Sequence, residues 1–152
     1  MKIKKEYPIL AVVVVALSLY LVFRESDKTR YQLPGISPLE QSEISRIEII
    51  NGDAPPLNMN REDSGWVIAP EGYPADAQKV KAVLNSLKNF TVTALVSEAK
   101  SYHRYHLDDA HRIAVKAWAG QRLERAFSMG KVAPTYRHTF VKLPGDHRVY
   151  HA

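Results

Sequence analysis

Hydrophobic and polar positions change their spacing several times along this chain of 152 residues, and the first pattern is the simplest. From Tyr7 to Phe23 the sequence has seventeen residues without a charge. An α-helix of that length spans about 25 Å, which is the short limit for crossing a bilayer core of about 30 Å. Lys5 and Arg24 flank the run and can extend its reach by snorkelling. The pattern predicts a single transmembrane helix within an anchor of residues 1–24.

Two other interpretations of the apolar run stay open. A cleaved secretory signal also has a basic start and an apolar middle, but the stretch from Leu21 to Glu25 offers no small-residue cleavage site. A buried core helix would show a polar face, and this run shows none. Three Lys or Arg residues lie on each side of the run, so the positive-inside rule decides little. We expect a cytoplasmic amino terminus, as is usual for short anchors with a basic start.

The chain then becomes polar before it takes up the two-residue period of β-strands. Residues 25–43 carry two prolines, Pro34 and Pro38, and predict a linker. Residues 44–50 alternate between apolar and polar side chains, and the turn signal Asn51-Gly52-Asp53 follows, so we expect a hairpin. Its second arm contains Leu57 and Met59, and a third strand is predicted from residue 66 to 69.

A helical period replaces the strand period after Asp76. Apolar residues recur at Val80, Val83, Leu84 and Leu87, which is the spacing of one buried helix face. The remaining strands are predicted at residues 91–96, 112–118, 123–129, 135–143 and 148–151. The whole pattern predicts an α+β fold: an N-terminal transmembrane helix, then a mainly antiparallel sheet domain at residues 44–152 covered by one amphipathic helix.

Composition removes several classes of protein. The chain has no cysteine, which excludes disulfide scaffolds, thiolate metal sites, iron–sulfur clusters and cysteine nucleophiles. The formal charge of +5 is unevenly distributed. Residues 31–99 hold five Lys or Arg and nine Asp or Glu, whereas residues 100–152 hold ten and four, together with all six histidines. The basic residues are spaced singly and form no recognition helix or stacking motif, so we expect no nucleic-acid partner.

One cluster of residues suggests metal chemistry. His103, His106 and His111 lie near the carboxylates Asp108 and Asp109, and histidine with carboxylate is a common ligand set. His103 and His106 could share one side of a short loop, but six histidines within 53 residues also make chance neighbours common. A helix-capping role is the simpler interpretation of Asp108 or Asp109. We therefore assign no metal ligand from the sequence.

No enzyme signature is found either. The nucleophile-elbow sequence Gly-x-Ser-x-Gly does not occur, and no phosphate-binding loop precedes Lys131. We expect no catalytic residue, no cofactor-binding residue and no cofactor.

Short motifs distributed over residues 44–151 suggest a relationship. In order they are Gly65-Trp66, Tyr73-Pro74-Ala75-Asp76, Tyr105-x-Leu107-Asp108, Met129-Gly130-Lys131, Phe140-Val141-Lys142-Leu143-Pro144-Gly145-Asp146 and Val149-Tyr150. With these motifs the chain resembles the bacterial family of domain of unknown function 4340. The resemblance implies one N-terminal anchoring helix and, for some members, an association with auxiliary components of ABC-type transport systems linked to gliding motility. It implies no catalytic residues.

The chain departs from the family pattern at one motif. Where the family commonly has Tyr-Gly-Leu-Asp-x-Pro, this sequence reads from Tyr105 to Ala110 as Tyr-His-Leu-Asp-Asp-Ala, so the turn-forming glycine and proline are replaced.

These observations together predict a non-catalytic accessory or docking subunit of a larger membrane protein complex. The expected partners are the other subunits of that complex and the lipid bilayer, through Tyr7 to Phe23. The expected location is the bacterial inner membrane, with the C-terminal domain in the periplasm. The alternative is a periplasmic module that binds a ligand or a metal through the histidine-rich basic half.

Overall fold

The computed structural model describes residues 6–23 and 31–152, and within the first range it describes the side chains from residue 12 to 20. The chain divides into two compact units, Met1–Gln32 and Leu33–Ala152. The first unit holds one helix, α1 (Glu6–Phe23), which begins one residue before the apolar run and ends with it.

α1 does not have the role that the apolar run predicted. Among the residues that the structure describes, no helix combines enough length with enough apolar character to cross a membrane. The transmembrane helix in the predicted fold class is therefore wrong, and so is the location as a single-pass inner-membrane protein with a cytoplasmic amino terminus. α1 has 18 residues and spans about 27 Å, short of a core of about 30 Å. The prediction depended on Lys5 and Arg24 to extend that length, and both lie outside the described residues.

The second unit is built on one antiparallel sheet of nine strands, which confirms the predicted sheet. In spatial order the strands run β4-β3-β2-β1-β6-β7-β8-β9-β5. Their bounds are β1 Arg46–Asn51, β2 Leu57–Glu62, β3 Gly65–Ala69, β4 Tyr73–Pro74, β5 Ala94–Ser97, β6 Ile113–Ala119, β7 Arg122–Val132, β8 Thr139–Lys142 and β9 Val149–His151. β1 to β4 follow one another across the sheet, but β1 also pairs with β6, and β5 lies at the far edge beside β9.

The predicted amphipathic helix is α2 (Ala77–Lys88), and it begins where the sequence indicated. The carboxylate of Asp76 accepts hydrogen bonds from the backbone N–H groups of Gln78 and Lys79, at 2.9 and 3.2 Å, and so caps the first turn. Val80 and Leu87 are buried on the apolar side of the helix. The spacing of the apolar residues therefore gave both the element and its buried side correctly.

The register of the strands sorts their side chains onto two faces, because successive residues of a strand point in opposite directions. We call the covered face the one that carries Ile47, Val115 and Phe127, which pack in one buried cluster with Val80 and Leu87 of α2. The other face we call the open face. Its rows come from the alternate residues of the same strands, such as Glu48 opposite Lys116 in β1 and β6.

Residues ahead of β1 belong to the packing of the second unit. Leu39 is buried in the cluster of the covered face. The backbone carbonyl of Ser37 accepts a 2.7 Å hydrogen bond from Nη2 of Arg125 in β7, and Gln41 donates a 2.8 Å hydrogen bond to Asn85 of α2. The linker was predicted at residues 25–43. Its later part thus lies against the sheet and α2, whereas residues 24–30 are outside the described residues.

Candidate functional site

The candidate site lies on the stretch that joins β5 to β6, which we call the histidine segment (residues 101–112). It opens with a short 3₁₀ helix, Tyr102–Tyr105, and then turns sharply at His106, whose φ is 56°. Few non-glycine residues adopt this left-handed conformation. The turn reverses the chain, so residues that follow His106 return toward those that precede it, and the backbone N–H of Leu107 donates to the carbonyl of Tyr102 at 3.0 Å.

Two side chains anchor the histidine segment to the sheet. Leu107 is buried in a second apolar cluster with Phe140 and Val149, and the ring of Tyr105 lies 4.9 Å from the ring of Phe140. Phe140 points to the open face, because its neighbour Val141 pairs with Met129 on the covered face. The histidine segment therefore covers one part of the open face.

Two glycines allow the segment to approach the strands closely. A Cβ atom on Gly130 would lie 2.0 Å from the backbone carbonyl oxygen of Tyr105, and one on Gly52 would lie 2.3 Å from that of Ala110. The N–H of Gly52 also donates a 2.8 Å hydrogen bond to the carbonyl of Arg112. Any larger residue at these two positions would push the segment away from the sheet.

The reversal of the chain brings three candidate ligands together. One ligand atom each from His103, Asp108 and His111 lies within 4.8 Å of the other two. Nδ1 of His111 is 2.6 Å from Oδ2 of Asp108, and Nδ1 of His103 is 3.7 Å from Oδ1 of the same carboxylate. The rings of the two histidines stand edge to face with centroids 5.6 Å apart. We call these three residues the triad.

The carboxylate at the centre of the triad is ionised and only partly satisfied. The hydrogen bond from His111 lowers the pKa of Asp108, against the opposing effect of burial. Oδ2 takes that hydrogen bond, but Oδ1 is shielded from solvent and has no hydrogen-bond partner. A buried oxygen atom without a partner carries a desolvation penalty, which a cation beside it would remove.

The triad fits the first coordination sphere of a borderline-soft divalent cation. Zinc binds histidine nitrogen and carboxylate oxygen at about 2.0–2.2 Å in a tetrahedral arrangement, which places neighbouring ligand atoms roughly 3.3 Å apart. His103 lies 3.7 Å from Oδ1 and His111 lies 2.6 Å from Oδ2, so these two spacings belong to different oxygen atoms of the carboxylate. One ligand atom from each of the three residues lies within 4.8 Å of the other two, and small side-chain movements have to bring them to the spacing of a tetrahedral site. His103 is 84% exposed, so its side chain is free to move into position.

The structure combines the residues differently from the way the sequence suggested. The sequence suggested His103 and His106 on one side of a loop, whereas the turn at His106 pairs His103 with Asp108 and His111. Asp109 points elsewhere and forms a 2.8 Å ion pair with Arg112. The spacing alone could not select this set, because it depends on one left-handed residue that is not a glycine.

Four histidines are outside the triad. The ring of His106 lies 5.0 Å from the ring of His111, and the other three are outside the histidine segment. His138 stacks on His151 with ring centroids 5.3 Å apart, and His147 belongs to the turn between β8 and β9. Burial lowers the pKa of His151, and the nearby His138 lowers it further.

Comparison with models of protein families gives a match. The family model described as "Domain of unknown function (DUF4340)" matches residues 66–152, which include α2, the whole histidine segment and strands β6 to β9. Comparison with curated proteins and with solved structures gave no match.

Proposed function

The chain belongs to the family described as domain of unknown function (DUF4340), and from this premise we propose that its sheet domain is a divalent-metal-binding module whose ligands are His103, Asp108 and His111. The module holds the cation on the histidine segment, at the surface of the sheet. Its role in this proposal is binding, and the three ligands leave a fourth position for water or for a group from a partner.

One observation carries the proposal: a carboxylate oxygen of Asp108 is buried, has no hydrogen-bond partner and lies beside two imidazoles. Surface histidines and aspartates are common, and proximity alone would carry little weight. A metal ion supplies what this oxygen lacks, because it neutralises the carboxylate and binds the imidazole nitrogens at the same time.

The ligand types also decide which cations the module prefers. Two imidazoles and one carboxylate suit zinc, copper and nickel, whereas magnesium and calcium prefer oxygen ligands only. Metal binding has to displace the proton that now joins His111 to Asp108. Because binding releases that proton, the affinity for the cation falls on acidification.

The test is calorimetric titration of the full chain with zinc, nickel and magnesium chlorides at neutral pH. We expect one zinc or nickel ion per chain and at least tenfold weaker binding of magnesium. Asp108→Asn keeps the shape of the side chain but removes its charge, and His111→Ala removes one ligand. Each should lower the zinc affinity at least tenfold.

The matched control is His138→Gln, because His138 is also in the basic half but is outside the triad. The control should bind zinc as the wild type does. If Asp108→Asn binds zinc with unchanged affinity, or if His138→Gln loses as much affinity as His111→Ala, the triad is not the site and the proposal is wrong.

Docking as a non-catalytic accessory subunit of a larger protein complex is a second candidate function. The observation that favours it is a pair of large exposed side chains at the β7–β8 hairpin, where Val132 is 54% and Tyr136 is 88% exposed. Tyr136 also has a left-handed φ of 56°, in the turn that joins the two strands. Exposed aromatic side chains of this kind often anchor protein interfaces. The partners implied by the family resemblance, auxiliary components of ABC-type transport systems, stay a prediction.

Native-size separation of cell extracts tests the docking function. We expect the wild-type chain in one large stoichiometric assembly and the Tyr136→Ser variant outside it. Migration of the wild type at its own mass would contradict a role as a subunit.

A further inference from the structure

A groove on the open face of the sheet is separate from the triad and has a different chemistry. Its cavity volume is about 480 Å³, within the range of small-ligand sites. The floor comes from strands β1, β6, β7 and β8, and the walls come from the two ends of the histidine segment and the turn after β8.

The strand register explains why the sheet is hollow here. One row across four strands runs Ile50, Ala114, Ser128 and Lys142. The two central members have small side chains, and the neighbouring row places Ala126 opposite Lys116. The small residues leave a depression between the larger side chains at either end. Its floor is largely apolar, because Ile50, Ala114 and Ala126 all contribute to it.

The rim of the groove is basic. Four cationic side chains contribute to it, and they are Lys100, Arg112, Lys116 and Lys142. Lys116 pairs with Glu48 at 2.7 Å, and Arg112 pairs with Asp109 at 2.8 Å. Within the described part of the chain, neither of the other two lysines has a carboxylate within 4.0 Å.

Lys142 is the cation best placed to meet a ligand. Its Nζ lies 4.3 Å from the centroid of the Tyr102 ring, so the ring holds the ammonium group at the groove without neutralising it. The side chain of Lys142 is only partly exposed, and it ends the row of small floor residues. A ligand that lay on the floor would therefore have an unneutralised charge at one end.

The one carboxylate in the lining does not oppose an anion strongly. Asp146 forms a bidentate contact with the guanidinium of Arg148, with distances of 2.9–3.1 Å, and accepts a 2.7 Å hydrogen bond from the hydroxyl of Tyr150. Its charge is compensated by groups that are already in place. The lysines of the rim keep their charge for a ligand.

We propose that this groove binds a small organic oxyanion, with the phosphate or carboxylate group beside Lys142 and Lys100 and the apolar body on Ala114, Ala126 and Ile50. An ammonium group attracts either oxyanion as a point charge. The apolar floor favours an organic anion over an inorganic one, because only a carbon framework removes that floor from water. The inference does not rest on metal binding by the triad.

The test is a titration of the ¹⁵N-labelled full chain with phenyl phosphate in metal-free buffer, followed by NMR. A ligand of this size should bind with a Kd on the order of 1 mM. The largest shifts should come from the amides of Ala126, Ser128 and Lys142. Phenol and inorganic phosphate, which each carry one half of the probe, should bind at least fivefold more weakly. Benzoate replaces the phosphate by a carboxylate, and the ratio of its Kd to that of phenyl phosphate identifies the preferred oxyanion.

Two variants separate the groove from a general effect of charge. Lys142→Gln should weaken phenyl phosphate at least fivefold, and Ser128→Leu should weaken it similarly by filling the floor without any change of charge. The matched control is Lys81→Gln, which removes the same charge from the exposed side of α2. Its Kd for phenyl phosphate should stay within a factor of two of the wild-type value.

Three results would overturn the proposal. The first is that inorganic phosphate or phenol binds as tightly as phenyl phosphate. The second is that Lys81→Gln weakens binding as much as Lys142→Gln, which would mean a diffuse charge effect. The third is that shifts spread over both faces of the sheet. In metal-free buffer His111→Ala should keep the Kd of the wild type, so a failure of the metal proposal and a failure of this one give different results.

Discussion

The two faces of the sheet use the same strands for opposite purposes. On the covered face, one row across β1, β6 and β7 runs Ile49, Val115 and Phe127, and Phe127 stacks on Phe90 with ring centroids 4.0 Å apart. On the open face, the adjacent row has two small side chains and ends at Lys142. One face buries large apolar groups and stabilises the domain, whereas the other leaves a hollow with charges at its rim.

Strand alternation separates the residues that stabilise the domain from the residues available to bind a ligand. Because neighbouring residues point to opposite faces, each strand can place a large residue in the core and a small one at a surface. Substitutions on the two faces should therefore have separable effects. Substitutions in the cluster of the covered face should mainly change the free energy of unfolding, whereas substitutions in the groove of the open face should mainly change binding.

The largest expected effect is on the covered face. Ile47 is fully buried between Met59 and Ala117, so Ile47→Ala should lower the free energy of unfolding by about 2–5 kcal/mol through lost burial and a residual cavity. Ile50 is three residues away on the open face and is only partly buried. Ile50→Ala should lower the free energy of unfolding by about 1 kcal/mol. Urea denaturation measures both values. Equal losses would show that the open face contributes to the core as much as the covered face does.

An intermediate effect is expected where the histidine segment meets the sheet. Gly130→Ala places a methyl group 2.0 Å from a backbone carbonyl oxygen, so the segment has to move and the free energy of unfolding should fall by about 1–3 kcal/mol. Zinc affinity should fall with it, because the triad is built on the displaced segment. Gly35→Ala is the control, since a Cβ atom there meets nothing within 4 Å. A normal zinc affinity in Gly130→Ala would show that the triad does not need the sheet to hold its geometry.

The smallest expected change in the free energy of unfolding concerns Asp146 in the lining of the groove, and it depends on pH. The hydrogen bonds from the Arg148 guanidinium are the main cause that lowers the pKa of Asp146. The carboxylate therefore stabilises the fold above its unfolded pKa of about 3.9, and this contribution is lost as pH falls below that value. Asp146→Asn should therefore cost about 1 kcal/mol at pH 7, because the pair is partly exposed, and the cost should shrink below pH 4. Urea denaturation from pH 3 to pH 8 tests this. A difference that did not change with pH would mean that shape and not charge is lost.

Tyr150 belongs to the same network and makes the stability of the fold decrease as pH rises, which is the opposite direction to the effect of Asp146. Burial is the main cause that raises the pKa of Tyr150 to about 12, and the hydrogen bond to Asp146 adds to it. The neutral phenol is favoured in the folded state. Its contribution to the free energy of unfolding is therefore present below pH 10 and is lost between about pH 10 and 12.

Local sequence patterns predicted the elements of the sheet domain well. Strand alternation and the Asn51-Gly52-Asp53 turn signal gave the first hairpin, and apolar spacing with Asp76 as the cap gave α2. These features depend on residues close together in the chain, so a short window contains the needed information. The apolar run before residue 24 misled the same method, because its length is at the limit for a bilayer and nothing local decides between a spanning helix and another kind.

The candidate site was only partly accessible to such reasoning. The sequence named the residues of the triad but not their arrangement, which follows from the left-handed turn at His106 and from the room that Gly130 leaves. The groove was not predicted. Small residues within a strand indicate only a low strand propensity, and nothing in the local pattern indicates that they form the floor of a groove. The one sequence feature that pointed toward the groove was the concentration of lysine and arginine in the last third of the chain.

Local patterns and composition were enough for eight of the nine strands, for α2 and for the basic character of the last third of the chain, since these follow from periods of two and 3.6 residues and from residue counts. The two-residue strand β4 was not predicted. Which strands are neighbours became known from the tertiary structure. Pairing of β1 with β6 joins Arg46 to Trp118, and pairing of β7 with β8 places Ser128 opposite Lys142. Those pairings select which side chains share a row, and the rows form the groove. Strand order depends on contacts between segments far apart in the chain, and the periodicity of a single segment carries no information about its partner.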